Sequence, residues 1–148
     1  MPKTIILKGN GIQKEGKAGG TITPGHLVDR TSTDTVVVHA VAAKTASAMF
    51  AKENEVIGRD IDTVYTINEN VIFEACHSGM EVYALVAAAA AAIVIGDDLE
   101  SAGDGTLRKV VTDAATDDTQ RHSLVARAIQ AVDNSAGGVP ARIKVEVL

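Results

Sequence analysis

The sequence predicts a mainly β fold, a compact barrel- or sandwich-like domain, and three observations carry that expectation. In residues 96–109, Gly-Asp-Asp-Leu-Glu-Ser-Ala-Gly-Asp-Gly-Thr-Leu-Arg-Lys, the pair Asp104-Gly105 sits between apolar alternations. This is a strong hairpin signal, because glycine takes positive φ without a Cβ clash. An echo lies 71 positions upstream, where Gly25 pairs with Gly96, Val28 with Leu99, Asp29 with Glu100, Thr35 with Thr106 and Val36 with Leu107. Finally, Ala141 to Leu148 alternates cleanly, with Ile143, Val145 and Val147 on one face and Arg142, Lys144 and Glu146 on the other.

The elements follow in order. Lys3 to Lys8 is a short β-prone segment, and Gly9, Gly11, Gly16, Gly19 and Gly20 come after it. Glycine at that density predicts a flexible stretch, so residues 1–20 read as an extended N-terminal arm and 21–148 as the β-rich body. Ile5, Ile6 and Leu7 would be wasted in a free tail and are expected to pair with a sheet edge of this subunit or of another. Thr21 to Leu27 and Thr35 to Val41 flank the first turn region, which Pro24-Gly25 marks. Residues 47–52 read as a strand. Two more, Thr63 to Ile67 and Val71 to Ala75, are separated by the turn composition Asn68-Glu69-Asn70. Glu81 to Val86 resumes β character. Ala87 to Ala92 suits either a helical turn or a strand packed on methyl groups, and Ile93-Val94-Ile95 leads into the hairpin. Asp113 to Gln120 reads as an acidic surface loop and Ser123 to Val132 as a strand.

Composition narrows the function. The chain has 148 residues, a usual single-domain size, and its core must be aliphatic, since it lacks Trp and has only two Tyr and two Phe. So few aromatics argue against a base-stacking nucleic-acid platform, and a net charge of −5 opposes phosphate binding. The charge is uneven: residues 1–20 hold Lys3, Lys8, Lys14 and Lys17 against Glu15, a local +3 that leaves −8 on the rest. Cys76 is the only cysteine, which excludes an internal disulfide. The first residues lack a signal-peptide pattern, and the longest apolar run, Val82 to Ile95, falls short of the ~20 residues that span a bilayer. A soluble protein made in a reducing cytoplasm is expected, with no membrane and no nucleic-acid partner.

Motifs that carry a reaction are lacking. His26, His39, His77 and His122 show no metal-ligand spacing. Cys76 and His77 are adjacent, so in a strand they point to opposite faces and cannot form a dyad. Asp97-Asp98 and Asp117-Asp118 read as solvated acids, and Gly103-Asp104-Gly105 lacks the rest of a calcium loop. No catalytic, cofactor-binding or metal residue is expected. Two other classes remain as alternatives. A barrel-sandwich carrier domain would need a lysine at a hairpin tip, where this chain has Asp34 and Asp104-Gly105. A small hydrolase would have to use Asp97, Asp98 or His77.

In their order, several segments carry a resemblance: Pro24-Gly25-His26-Leu27-Val28, Phe50-Ala51-Lys52-Glu53-Asn54, Gly58-Arg59-Asp60-Ile61-Asp62, Gly79-Met80-Glu81-Val82-Tyr83-Ala84-Leu85, Ile95-Gly96-Asp97-Asp98-Leu99-Glu100-Ser101, Ala128-Ile129-Gln130-Ala131-Val132 and the terminal strand. Over about residues 21–148 the chain resembles the small capsid decoration, or cement, proteins of tailed bacteriophages. It departs from them at Ala87 to Ala92, where family members usually have a Gly- or Asp-containing turn. The resemblance implies a non-enzymatic virion protein on the outer face of an icosahedral shell, made in the bacterial host cytoplasm. Its partners would be the phage major capsid protein and itself, as a trimer or a dimer. In the N-terminal arm, outside the resemblance, Lys3, Ile5, Ile6, Leu7 and Lys8 are the expected subunit or capsid contacts.

Overall fold

A computed structural model describes residues 1–111 and 123–148. Eleven strands are formed among the described residues: β1 (Ile6–Lys8), β2 (Ile12–Ala18), β3 (Val28–Arg30), β4 (Thr35–Val38), β5 (Met49–Ala51), β6 (Asn70–Ala75), β7 (Glu81–Val86), β8 (Asp98–Ser101), β9 (Leu107–Lys109), β10 (Leu124–Ala128) and β11 (Ala141–Val147). The sole described helical piece is the single 3-10 turn Glu55–Ile57, and no described helix is long and apolar enough to cross a membrane. The mainly β expectation is met.

The strands form the same small barrel twice. In the first, the order is β3-β4-β2-β6-β5, and the bridge Leu27↔Phe50 brings the two ends together. In the second, β8-β9-β7-β11-β10 repeats that order, and antiparallel pairing of β8 with β10 closes it. Orientations agree strand for strand. β2 runs parallel to β4 as β7 does to β9, and both are antiparallel to the following long strand, β6 or β11. The hairpin echo falls on equivalent ladders: Val28↔Val38, Asp29↔Val37 and Arg30↔Val36 match Leu99↔Lys109, Glu100↔Arg108 and Ser101↔Leu107.

The turn that enters each hairpin is also repeated bond by bond. Gly25 and Gly96 take φ of 97° and 94°, a region in which any Cβ is strained. Their N–H groups donate to Ala51 O at 2.8 Å and Ala128 O at 2.9 Å. The following side chain caps the turn: His26 Nδ1 accepts from Thr23 N–H at 3.0 Å, and Asp97 Oδ2 accepts from Val94 N–H at 2.9 Å. Ahead of it, Ile22 exchanges two backbone bonds with Tyr65 as Ile93 does with Val132.

Each barrel is filled by its own inward residues. Ala18, Ile22, Val28, Val36, Met49, Ala51, Tyr65, Val71 and Phe73 form one buried cluster. Their counterparts Val86, Ile93, Leu99, Leu107, Ala126, Ala128, Ile143 and Val145 lie in the other, together with residues that join the barrels. Ile143, Val145 and Val147 are buried, as the terminal alternation requires.

Several expectations are corrected. The glycine-rich stretch after β1 is strand β2, paired antiparallel with β6 from Ile12↔Ala75 to Lys17↔Asn70. Gly16 is there for close packing, since a Cβ on it would sit 2.5 Å from Val36 Cγ2. Of Thr63 to Ile67, expected as a strand, the structure keeps an isolated bridge at Tyr65, whose partner is Ile22. Ala87 to Ala92 forms a turn in which Ala89 has φ 53° and donates to Gly137 O at 2.9 Å. The expected loop Asp113 to Gln120, with Asp117-Asp118, and His122 lie outside the described residues.

Candidate interaction surfaces

The N-terminal segment is held by its own body. Tyr83 N–H donates to Ile5 O at 2.7 Å, and β1 pairs antiparallel with β7 through Ile6↔Val82. Ile5 is fully buried between the barrels, and Glu53 accepts from Ile5 N–H at 3.0 Å and from the Thr4 hydroxyl. Ile6 and Leu7 are half-buried against the same core. Among the expected contact residues Lys3 and Lys8 are exposed, and Lys8 pairs with Glu81 at 2.9 Å. An arm leaving the body would expose Ile5, which costs roughly 1.5–3 kcal/mol, and would strip an edge of the second barrel. The apolar triplet therefore satisfies the sheet edge of this subunit.

One interface joins the barrels. The first contributes its 23–27 turn with Phe50, and the second contributes the outer face of β7 with Arg142. Leu27 and Phe50 point away from the interior of their own barrel and are fully buried by the other. Leu85 N–H donates to Gly25 O at 3.3 Å, and Leu27 N–H donates to Gly105 O at 2.7 Å. Arg142 crosses the seam: Nη1 donates to Pro24 O at 3.0 Å, Nη2 to Ile61 O at 2.5 Å, and its guanidinium lies 5.6 Å from the Tyr83 ring centroid. Gly25 lets this happen, because a Cβ there would stand 2.8 Å from Arg142 Nη1 and 3.0 Å from Tyr83 O. Burial at the seam, aided by Arg142, brings His26 down to a pKa of about 4, although Asp104 pulls the other way. The ring is neutral at pH 7 and free to accept the Thr23 N–H.

The counterparts of both surfaces remain open. Asp98 and Arg127 stand where Leu27 and Phe50 do, and form an exposed ion pair at 2.8 Å. Next to it Val94 and Ile95 are 56% and 69% exposed. On the first barrel, Glu15 and Lys17 take the places of Tyr83 and Leu85, and Asn70 that of Arg142. Asn70 Nδ2 donates to Glu15 at 3.2 Å. With charged groups at those places, one copy cannot continue the seam onto the next by the same apolar contact.

The outer edge of β2 is unfilled. β4 reaches only Lys17 and Ala18, and Asp34 O takes the Lys17 N–H at 2.6 Å. Gln13 and Glu15 direct their backbone groups the same way, and no described strand meets them. On β7 the equivalent stretch is the one β1 covers.

Of the groups considered for chemistry, Cys76, Asp97 and Asp104 serve structure, and His77 is exposed on its turn. Burial, reinforced by the Glu74 carboxylate, pushes the Cys76 thiol up to about 12, which removes the thiolate a nucleophile needs. Asp97 caps its turn and pairs with Lys109 at 2.9 Å; the Val94 N–H, then Lys109, hold its carboxyl low. Asp104 accepts from Thr106 N–H at 3.0 Å, which shapes the hairpin tip. The tip itself is packed: a Cβ on Gly105 would meet Val38 at 2.8 Å, and His39 Nδ1 lies 2.7 Å from Ser101 Oγ. Among the described residues no cluster of His, Cys, Asp and Glu could hold a metal ion. The sequence missed Phe50, Leu27 and Arg142 as interface residues, since their neighbours belong to the other barrel.

No family model matches the chain, and no curated protein does. Among solved structures it is similar to the N base of the head fiber gp8.5 of bacteriophage phi29. The TM-score is 0.56 at 12% identity, over 93% of each chain. At that identity the likeness is one of fold.

Proposed function

We propose that the chain is a structural protein of a tailed-phage virion. It binds the outer surface of the icosahedral shell and ties neighbouring major capsid subunits together, itself as a trimer or a dimer. The observation that carries this reading is the fold likeness to a phage head-fiber base over 93% of both chains. Two barrels locked by one apolar seam make a stiff unit, as such a clamp requires. The chemistry agrees, because His26, His39 and Asp97 are committed to turn caps, packing and an ion pair. The proposed role is non-enzymatic and calls for no cofactor. Modest contacts repeated over a lattice then add through effective concentration.

The test is co-sedimentation of the purified protein with empty shells of the phage that encodes it. Saturable binding at a fixed number of copies per shell, with a higher shell melting temperature, is expected. Protein that stays in the supernatant, or binds without raising the melting temperature, would overturn the cementing role.

A further inference from the structure

The two barrels share one topology, but only one has its edge closed. On β7 the outward backbone is covered by β1, an extended segment lying antiparallel, with Tyr83 N–H bonded to Ile5 O. On β2 the same stretch turns the N–H and C=O groups of Gln13 and Glu15 outward, where no described strand meets them. Such an edge is a ready template for an incoming strand. Its side chains narrow the choice of occupant. Lys14 and Lys17 project from opposite faces of β2, and neither forms an ion pair among the described residues. An added strand places its own side chains alternately on both faces, within reach of both lysines. Where β1 closes the other edge, a cross-strand ion pair of this kind is already made, Lys8 with Glu81.

We propose that the β2 edge of the first barrel is a strand-addition site for an extended acidic segment of the shell subunit, bound antiparallel as β1 is on β7. This rests on the shell-binding reading and supplies its contact: backbone bonds from Gln13 and Glu15 give affinity, and carboxylates meeting Lys14 and Lys17 give selection. The body of the protein, net acidic, would repel such a segment elsewhere, and the local excess of lysine steers it to β2.

The experiment compares three proteins on the same empty shells: wild type, Glu15→Pro, and Lys14→Glu with Lys17→Glu. Proline at 15 deletes the outward N–H and obstructs an added strand, while the inward bonds of Lys14 and Gly16 to β6 remain. Binding at least ~10-fold weaker is expected for both variants, each checked for wild-type circular dichroism. Independently of any variant, hydrogen exchange of the wild type should slow at the Gln13 and Glu15 amides once it is on shells. If the wild type binds while those amides exchange as in the free protein, the lysines merely guard the edge against aggregation and the inference is overturned. No binding by the wild type would overturn the shell reading along with it.

Discussion

Leu27 and Phe50 in the first barrel and Asp98 and Arg127 in the second hold the same places in the same ladder. One pair is apolar and fully buried, and the other is an exposed ion pair at 2.8 Å. Tyr83 and Leu85 differ in the same manner from Glu15 and Lys17. Inward positions, by contrast, agree in kind: Val28 with Leu99, Val36 with Leu107, Val71 with Ile143. Interior packing maintains the barrel, and the outward residues decide what each barrel meets. The unused copy of each interface face carries polar and charged groups where the seam is apolar.

Paired substitutions at equivalent places can break this comparison. The largest effect belongs to Phe50→Ala, expected to destabilise by ~3–5 kcal/mol in urea unfolding, against less than ~1 kcal/mol for Arg127→Ala. Equal losses would mean that the barrels are not joined at Phe50. Next comes Arg142→Ala, which leaves Pro24 O and Ile61 O without their donor and should cost ~1.5–3 kcal/mol. Asn70→Ala, at the equivalent exposed place, should stay within ~0.5 kcal/mol.

A pH titration separates the two turn caps. His26 titrates near 4 when folded and near 6.5 when unfolded, so between those values the unfolded chain binds more protons. Its contribution is complete above pH 6.5 and is lost as pH falls toward 4. His26→Asn keeps an acceptor for the Thr23 N–H without that proton. Its unfolding midpoint should therefore fall less than that of the wild type between pH 7 and pH 4.5. Glu69, lowered to about 2 chiefly by its hydrogen bond from Arg59, begins to lose its contribution near the lower end of this window but is common to both proteins and cancels in the comparison.

The smallest effect is at Gly20, where an added Cβ meets nothing within 4 Å. Gly20→Ala should be neutral or stabilise by up to ~1 kcal/mol, whereas Gly16→Ala, 2.5 Å from Val36, should destabilise. The two melting temperatures would move in opposite directions.

The fold was partly legible in the sequence. The Gly25 and Gly96 turns and the Ala141–Val147 alternation were readable because turn chemistry and period two are local. The full repeat was not, for two reasons. Loops of different length take some strands out of the 71-residue spacing: Phe50 of β5 and Arg127 of β10 stand 77 apart, and Ala18 of β2 and Val86 of β7 stand 68 apart. Outward positions carry no common pattern either, since Phe50 and Arg127 answer to different surroundings. Glycines 9, 11 and 16 suggested flexibility where the structure uses close contact. Ile5, Ile6 and Leu7 were rightly expected on a sheet edge, but nothing local says whose edge, and Ile5 fills a seam that exists only when both barrels have formed.

Native-state hydrogen exchange of the free protein tests most directly the claim that the outer edge of β7 is covered while the equivalent edge of β2 is open. The Tyr83 and Leu85 amides, bonded to Ile5 O and Gly25 O, should be protected to nearly the global unfolding free energy, while the Gln13 and Glu15 amides exchange close to the unprotected rate. Protection at Glu15 matching that at Tyr83, or free exchange at Leu85, would contradict it.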